Sequence, residues 1–230
     1  TAEHTTSEIY FFGVEEENPK PKLFKKRQEE IEYSIDSWKG NFYIHTNLDA
    51  EDFKICSCKI DNIEKWQDYI PATNGVLIGG FSLLNEWMVR SEVRDALSKL
   101  YVRNLNTNKE EELIITDEKV ISPGASLMQK DRNTNKIYIA YQSPKTPGKA
   151  YIYNVLTKEK KLVKEEIVPS GHNPDDYVVQ RLSCDSHDGK KIPLTITRHK
   201  KTQLDGSANL LLYAYGSYGA SMGPVFSSSR

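Results

Sequence analysis

Phe42-Tyr43-Ile44-His45, Trp87-Met88-Val89-Arg90 and Ile137-Tyr138-Ile139-Ala140 are three short, apolar-rich runs that recur along the chain, 45 and then 50 residues apart. A second class of run follows each of them at the same two offsets: Ile55-Cys56-Ser57-Cys58-Lys59-Ile60, Leu100-Tyr101-Val102-Arg103-Asn104-Leu105 and Ala150-Tyr151-Ile152-Tyr153-Asn154-Val155. β-Branched and aromatic residues in short runs, bounded by polar turns such as Asp36 to Asn41 and Asn104 to Asn108, read as strands. A period near 45 residues with several short strands per unit predicts a β-propeller, one four-stranded sheet per blade. A solenoid of helical hairpins would need a 3.6-residue periodicity, which is missing. The repeats predict units at 32–74, 75–118 and 119–166. A further run, Ile9 to Val14, lies 46 residues before the Ile55 run and predicts a partial first unit. Three and a half units are too few for a closed ring of about 4–8 blades.

Composition fits a mixed-charge folded protein. The 230 residues hold 31 Lys and Arg against 32 Asp and Glu, a net charge of −1, which argues against a uniformly basic nucleic-acid binder. Apolar residues make up only 38 %, but 13 tyrosines can build a core. No run approaches the ~20 apolar residues that span a bilayer, so no membrane partner is expected. The start, Thr1-Ala2-Glu3-His4, lacks both Met and a signal-peptide pattern, which reads as a chain beginning mid-protein. The three cysteines, Cys56, Cys58 and Cys184, form an odd set that suits a reducing cytoplasm. Cys56 and Cys58 share one strand face. With no His nearby they read as small apolar residues rather than metal ligands. His45, His172, His187 and His199 show no metal spacing, so no metal or cofactor is expected.

The pattern changes after Ile167-Val168-Pro169-Ser170-Gly171-His172-Asn173-Pro174, a linker-like stretch. Tyr177 to Cys184 and Ile192 to Arg198 flank an Asp188-Gly189 turn and predict a hairpin. Leu210-Leu211-Leu212-Tyr213-Ala214-Tyr215 is nearly all apolar and predicts a strand buried on both faces, as in an α/β sheet. Gly219-Ala220-Ser221-Met222-Gly223 fits the G-x-S-x-G nucleophile elbow by letter. However, Gly216-Ser217-Tyr218 breaks the strand before it, and Ser227-Ser228-Ser229 gives no helical drive after it. Chain order also opposes it, because the acid and the His should follow the Ser and neither occurs in the nine residues after Ser221.

The stretch Leu211 to Ser221, with Phe226 and Arg230 continuing it, resembles a signature of the prolyl oligopeptidase family of serine peptidases, and of its oligopeptidase B branch in particular. Asp185 to Thr195 is similar to that family's hairpin, Glu32 to Asn47 to one of its blades, and Ser143-Pro144-Lys145-Thr146-Pro147 to one of its loops. Ala214 departs from the pattern, which has Gly there. The resemblance implies a mainly β fold: part of a seven-bladed, unclosed propeller over residues 1–166, a linker over 167–175, and the first strands of an α/β-hydrolase catalytic domain over 176–230. It implies cleavage of short peptides after Lys or Arg, with the propeller gating substrate size and no cofactor. The Ser, Asp and His would then lie beyond Arg230, leaving this chain inactive alone or completed by a separate chain.

The same resemblance implies one site residue, Tyr215, whose hydroxyl would donate to the oxyanion of the tetrahedral intermediate in the complete enzyme. Residue pattern alone favours Tyr213 and Tyr215 as core aromatics at a strand end. Two other readings stand beside the peptidase: a non-catalytic propeller module for protein interaction, and a degraded gene product.

Overall fold

A computed structural model of the chain describes residues 5–128, 132–218 and 221–229. Among these residues the structure is almost wholly β, and the sole helical element is a three-residue 3-10 turn at Pro174–Asp176. None of its helices is long and apolar enough to cross a membrane.

The chain opens with a two-stranded ribbon, β1 (Tyr10–Phe11) and β2 (Lys22–Leu23). Ile9 to Val14 thus yields a shorter strand than expected. Gly13 and a turn at Val14-Glu15 end it early. Three antiparallel meanders follow. Sheet 1 holds β3 (Tyr33–Trp38), β4 (Asn41–Thr46), β5 (Lys54–Lys59) and β6 (Asn62–Ile70) in sequence order. Sheet 2 holds β7 (Val76–Leu84), β8 (Trp87–Arg94), β9 (Leu97–Asn104) and β10 (Glu110–Glu112). Sheet 3 holds β11 (Ser122–Leu127), β12 (Lys136–Gln142), β13 (Lys149–Asn154) and β14 (Lys160–Glu165). The recurring runs are the second and third strands of each sheet. A hairpin, β15 (Tyr177–Asp185) and β16 (Lys191–His199), comes last.

Turn chemistry fixes each reversal. Between β3 and β4, Lys39 and Gly40 both take left-handed φ, 47° and 79°, as a two-residue hairpin turn requires. Between β8 and β9, Asp95 and Ala96 do the same at 50° and 56°.

The sheets stack face to face. Tyr43 and Ile55 of sheet 1 pack with Ile78, Leu83 and Met88 of sheet 2. Val89, Leu100 and Val102 on the other face of sheet 2 pack with Ile137, Ile139 and Tyr141 of sheet 3. The first strands approach one another, β3 to β7 and β7 to β11, as propeller blades do around an axis. At one end the hairpin turns interlock. The Trp38 indole N–H donates to the Asn85 carbonyl. The Asn85 N–H donates to the Arg132 carbonyl at 2.6 Å, and the Arg132 guanidinium returns to Asp36 Oδ1 at 2.7 Å.

Between sheets 1 and 2 lies a charged cluster. Arg90, 5 % exposed, grips Glu110 with Nε and Nη2 at 3.1 and 2.8 Å and Glu92 with Nη1 at 2.8 Å. Its guanidinium lies 4.5 Å over the Tyr101 ring. Burial alone would lower the Arg90 pKa, but the two carboxylates outweigh it and hold the group above its ordinary range. Burial, with Glu92 adjacent, pushes the Tyr101 phenol up to about 12.

His45 shows how the sheets are locked. Its ring stacks on Phe53 at 4.6 Å, and Nε2–H donates to the Ile78 carbonyl across the sheet interface at 2.7 Å. Burial lowers its pKa below the ordinary value of 6.5, against the opposing pull of that hydrogen bond. The folded state therefore favours neutral imidazole. Its stabilisation is complete above pH ~6.5 and drains away as pH falls through the lower folded pKa. His45→Gln should flatten the change in urea midpoint between pH 7.5 and about 5.5, and an unchanged slope would remove His45 from the account.

Cys56 and Cys58 face into the sheet 1 core beside Phe42 and Ile44. Burial, helped by Asp68 beside the thiol, pushes Cys56 up to about 11, and burial raises Cys58. Cys184 is exposed. Since the thiolate is the reactive form, Ellman's reagent should titrate one thiol in the native chain and three after denaturation. Two or more fast native thiols would contradict this packing.

Candidate functional site

The turns joining second to third strands lie at one end of the stack: 47–53 in sheet 1, 95–96 in sheet 2 and 143–148 in sheet 3. Residues 167–229 return to this end. Glu118 prepares the third turn by accepting hydrogen bonds from the buried Ser143 and Thr146 hydroxyls at 2.6 and 2.7 Å. This turn is the Ser143 to Pro147 stretch singled out in the sequence. Its rigid backbone presents the Lys145 carbonyl, which accepts from His172 Nε2–H at 2.6 Å. His172 thus docks the linker on the third turn.

An aromatic clasp forms around His172. Its ring stacks on Tyr177 at 5.0 Å and meets Phe226 edge-on at 5.0 Å, while Tyr177 meets His199 at 5.6 Å. The Phe226 N–H donates to Gln142 Oε1 at 3.0 Å. Arg181 of β15 donates to Thr195 Oγ1 at 2.6 Å and also to the Asp95 carbonyl in the second turn. Linker, hairpin and tail are therefore all tied to the same end of the stack. Sequence reading missed the clasp because its four rings are scattered between residues 172 and 226 with no common spacing.

Tyr215, the one sequence-predicted site residue, lies outside this clasp and is 52 % exposed. The buried strand expected over Leu210 to Tyr215 is not formed. The segment has no regular secondary structure, and its leucines are exposed. The physical reason is local: a strand buried on both faces needs hydrogen-bonded neighbours and covering layers. Among the described residues β15 and β16, the nearest strands in sequence, pair only with each other. Of the elbow-like stretch, Gly219 and Ala220 fall outside the described residues. Ser221 is exposed, and no helix follows it through residue 229.

No other catalytic constellation emerges among the described residues. Ser186 Oγ and His187 Nδ1 sit 3.4 Å apart as chain neighbours in an exposed turn. No group of three or more His, Cys, Asp or Glu is placed to hold a metal ion.

Similarity to known proteins agrees with this architecture. The family model for the prolyl oligopeptidase N-terminal β-propeller domain matches residues 1–166. Dipeptidyl aminopeptidase BI of Pseudoxanthomonas mexicana is 35 % identical over 205 residues, which cover 87 % of this chain and 28 % of that protein. Protease 2 of Moraxella lacunata is 24 % identical over 226 residues, covering 98 % and 32 %. Among solved structures, oligopeptidase B from Trypanosoma brucei, in a closed form with covalently bound antipain, superposes with a TM-score of 0.87 at 25 % identity. That match covers 98 % of this chain and 33 % of that one. The chain spans about a third of the length of the relatives it matches.

Proposed function

The chain belongs to the prolyl oligopeptidase family, and from that premise we propose that it supplies propeller blades and the entry to the catalytic domain of a serine oligopeptidase. In this reading residues 1–166 are propeller, 167–175 link, and 176–230 begin the α/β-hydrolase domain. The observation that carries it is the tie between the two parts: His172, Arg181 and Phe226 hold the linker, hairpin and tail against the blade turns. A binding module built only from blades has no use for that hairpin. The substrates are short peptides cut after Lys or Arg in the cytoplasm, with the propeller limiting their size. Tyr215 stabilises the oxyanion, and the nucleophile, acid and base come from outside these residues.

The purified 230-residue chain should therefore show no turnover of an Arg-ended chromogenic peptide. Hydrolysis by this chain that disappears in Ser221→Ala would overturn the assignment, because the activity would then rest on the elbow-like serine.

A further inference from the structure

Asn74-Gly75 is the sole Asn-Gly step in the chain. It forms the tip of a tight turn leading from sheet 1 into β7, in which the Val76 N–H donates to the Thr73 carbonyl at 3.0 Å. Gly75 holds left-handed φ, 72°, which suits a residue without Cβ. Asp52, in the 47–53 turn of sheet 1, straps this connection down. Its Oδ2 accepts from the Gly75 N–H at 3.2 Å, and its carbonyl accepts from the Ile78 N–H at 2.9 Å. The Ile78 carbonyl in turn accepts from His45. One short stretch therefore joins sheet 1 to sheet 2.

That stretch sets an electrophile beside a nucleophile. The carboxamide carbon of an asparagine lies one ring closure from the next backbone nitrogen, and glycine puts no side chain in the way. Among the described residues the Asn74 carboxamide makes no hydrogen bond, so nothing tethers it away from Gly75. The nitrogen is different, because the Asp52 carboxylate engages its N–H.

We propose that Asn74 is a site of spontaneous deamidation, and that Asp52 holds the reaction in check. The Gly75 nitrogen gives up its proton and attacks Asn74 Cγ. The side-chain nitrogen leaves with that proton as ammonia, and a succinimide remains. Water then opens the ring at either carbonyl, leaving aspartate or isoaspartate, and is the only co-reactant. Asp52 opposes the first step in two ways. Its hydrogen bond fixes the peptide plane that must rotate for attack, and its charge disfavours the nitrogen anion that attacks. Both products place a new carboxylate in the turn that Asp52 straps, and isoaspartate also adds a methylene to the main chain. Either change loosens the join between sheets 1 and 2. The assignment does not rest on the peptidase reading.

Peptide mapping by mass spectrometry after incubating the full chain at neutral pH tests it, with an isoaspartyl methyltransferase to count isoaspartate. Asn74 should convert ahead of every other asparagine. Asp52→Ala should speed the conversion roughly fivefold, the factor that one hydrogen bond of ordinary strength controls. Asp52→Asn keeps the side-chain shape and an acceptor oxygen but loses the charge. It should also speed the conversion, by a smaller factor, and it decides the matter if the alanine variant does not fold. Glu51→Ala, which leaves Asp52 and its bond to Gly75 in place, should convert at the wild-type rate. Another asparagine converting first, a folded Asp52 variant converting no faster than wild type, or Glu51→Ala matching the Asp52 variants would each overturn the proposal.

Discussion

Tyr215→Phe, made in a complete enzyme that contains this segment, should lower kcat by roughly 10²–10³-fold with little change in substrate binding. A phenol has a single hydroxyl donor. Phe deletes that donor and keeps the ring, so packing is conserved while a hydrogen bond to developing charge is lost. An interaction made chiefly in the transition state costs kcat and kcat/KM about equally. Tyr213→Phe is the control. Tyr213 lies on the same face of an extended strand but two residues back, roughly 7 Å away, so it should act through packing and cost far less. Steady-state kinetics on both variants decide the matter, and two equally mild effects would return Tyr215 to the core aromatics.

Arg90→Met should be the most damaging single substitution in the sheet stack. It leaves the Glu92 carboxylate without its cation at a sheet interface, and Glu110 with only the more distant Arg103 at 3.9 Å. Breaking a buried pair from one side costs on the order of 3–5 kcal/mol. Glu110 keeps some solvent contact, with its side chain 22 % exposed, so the lower end applies. At about 3 kcal/mol, a domain of this size should melt roughly 6–12 °C lower. Adding Glu92→Gln and Glu110→Gln removes the stranded charges and should recover part of the loss. A melt shifted by less than ~2 °C in the single variant would mean that the cluster is solvated rather than structural.

That cluster also marks where the sequence stopped being legible. The three sheets could be read from Phe42, Trp87 and Ile137 because strand-sized apolar runs recur at blade spacing, and the observed meanders occupy the expected units. Along β8, however, Arg90 and Glu92 alternate with Val89 and Val93, the pattern of a strand with one wet face. Stacked blades bury both faces, so the charged side turned inward against sheet 1, paired instead of solvated. Strand ends were lost for a related reason. The recurring run stops at Arg90, yet β8 runs to Arg94, because Asp95 and Ala96 make the left-handed turn without the Gly or Asn that would announce it.

The candidate site was legible only in part. Ser143 to Pro147 stood out as a stretch, but its partner His172 lies 27 residues from Lys145 and is joined to it by folding alone. Leu210 to Tyr215 has the composition of a buried strand and not its surroundings. Composition records what a segment is suited to, whereas burial requires neighbours that these residues do not supply.

The proposed reading gives this chain propeller blades and, in Tyr215, the oxyanion donor of a serine oligopeptidase, with the triad supplied by residues outside it. The reading frame that continues past Arg230 in the source gene tests it most directly. The account predicts a continuation bearing a strand-borne G-x-S-x-G, then an Asp, then a His, in that order. A frame that closes at once, or that continues into residues without that succession, would contradict it.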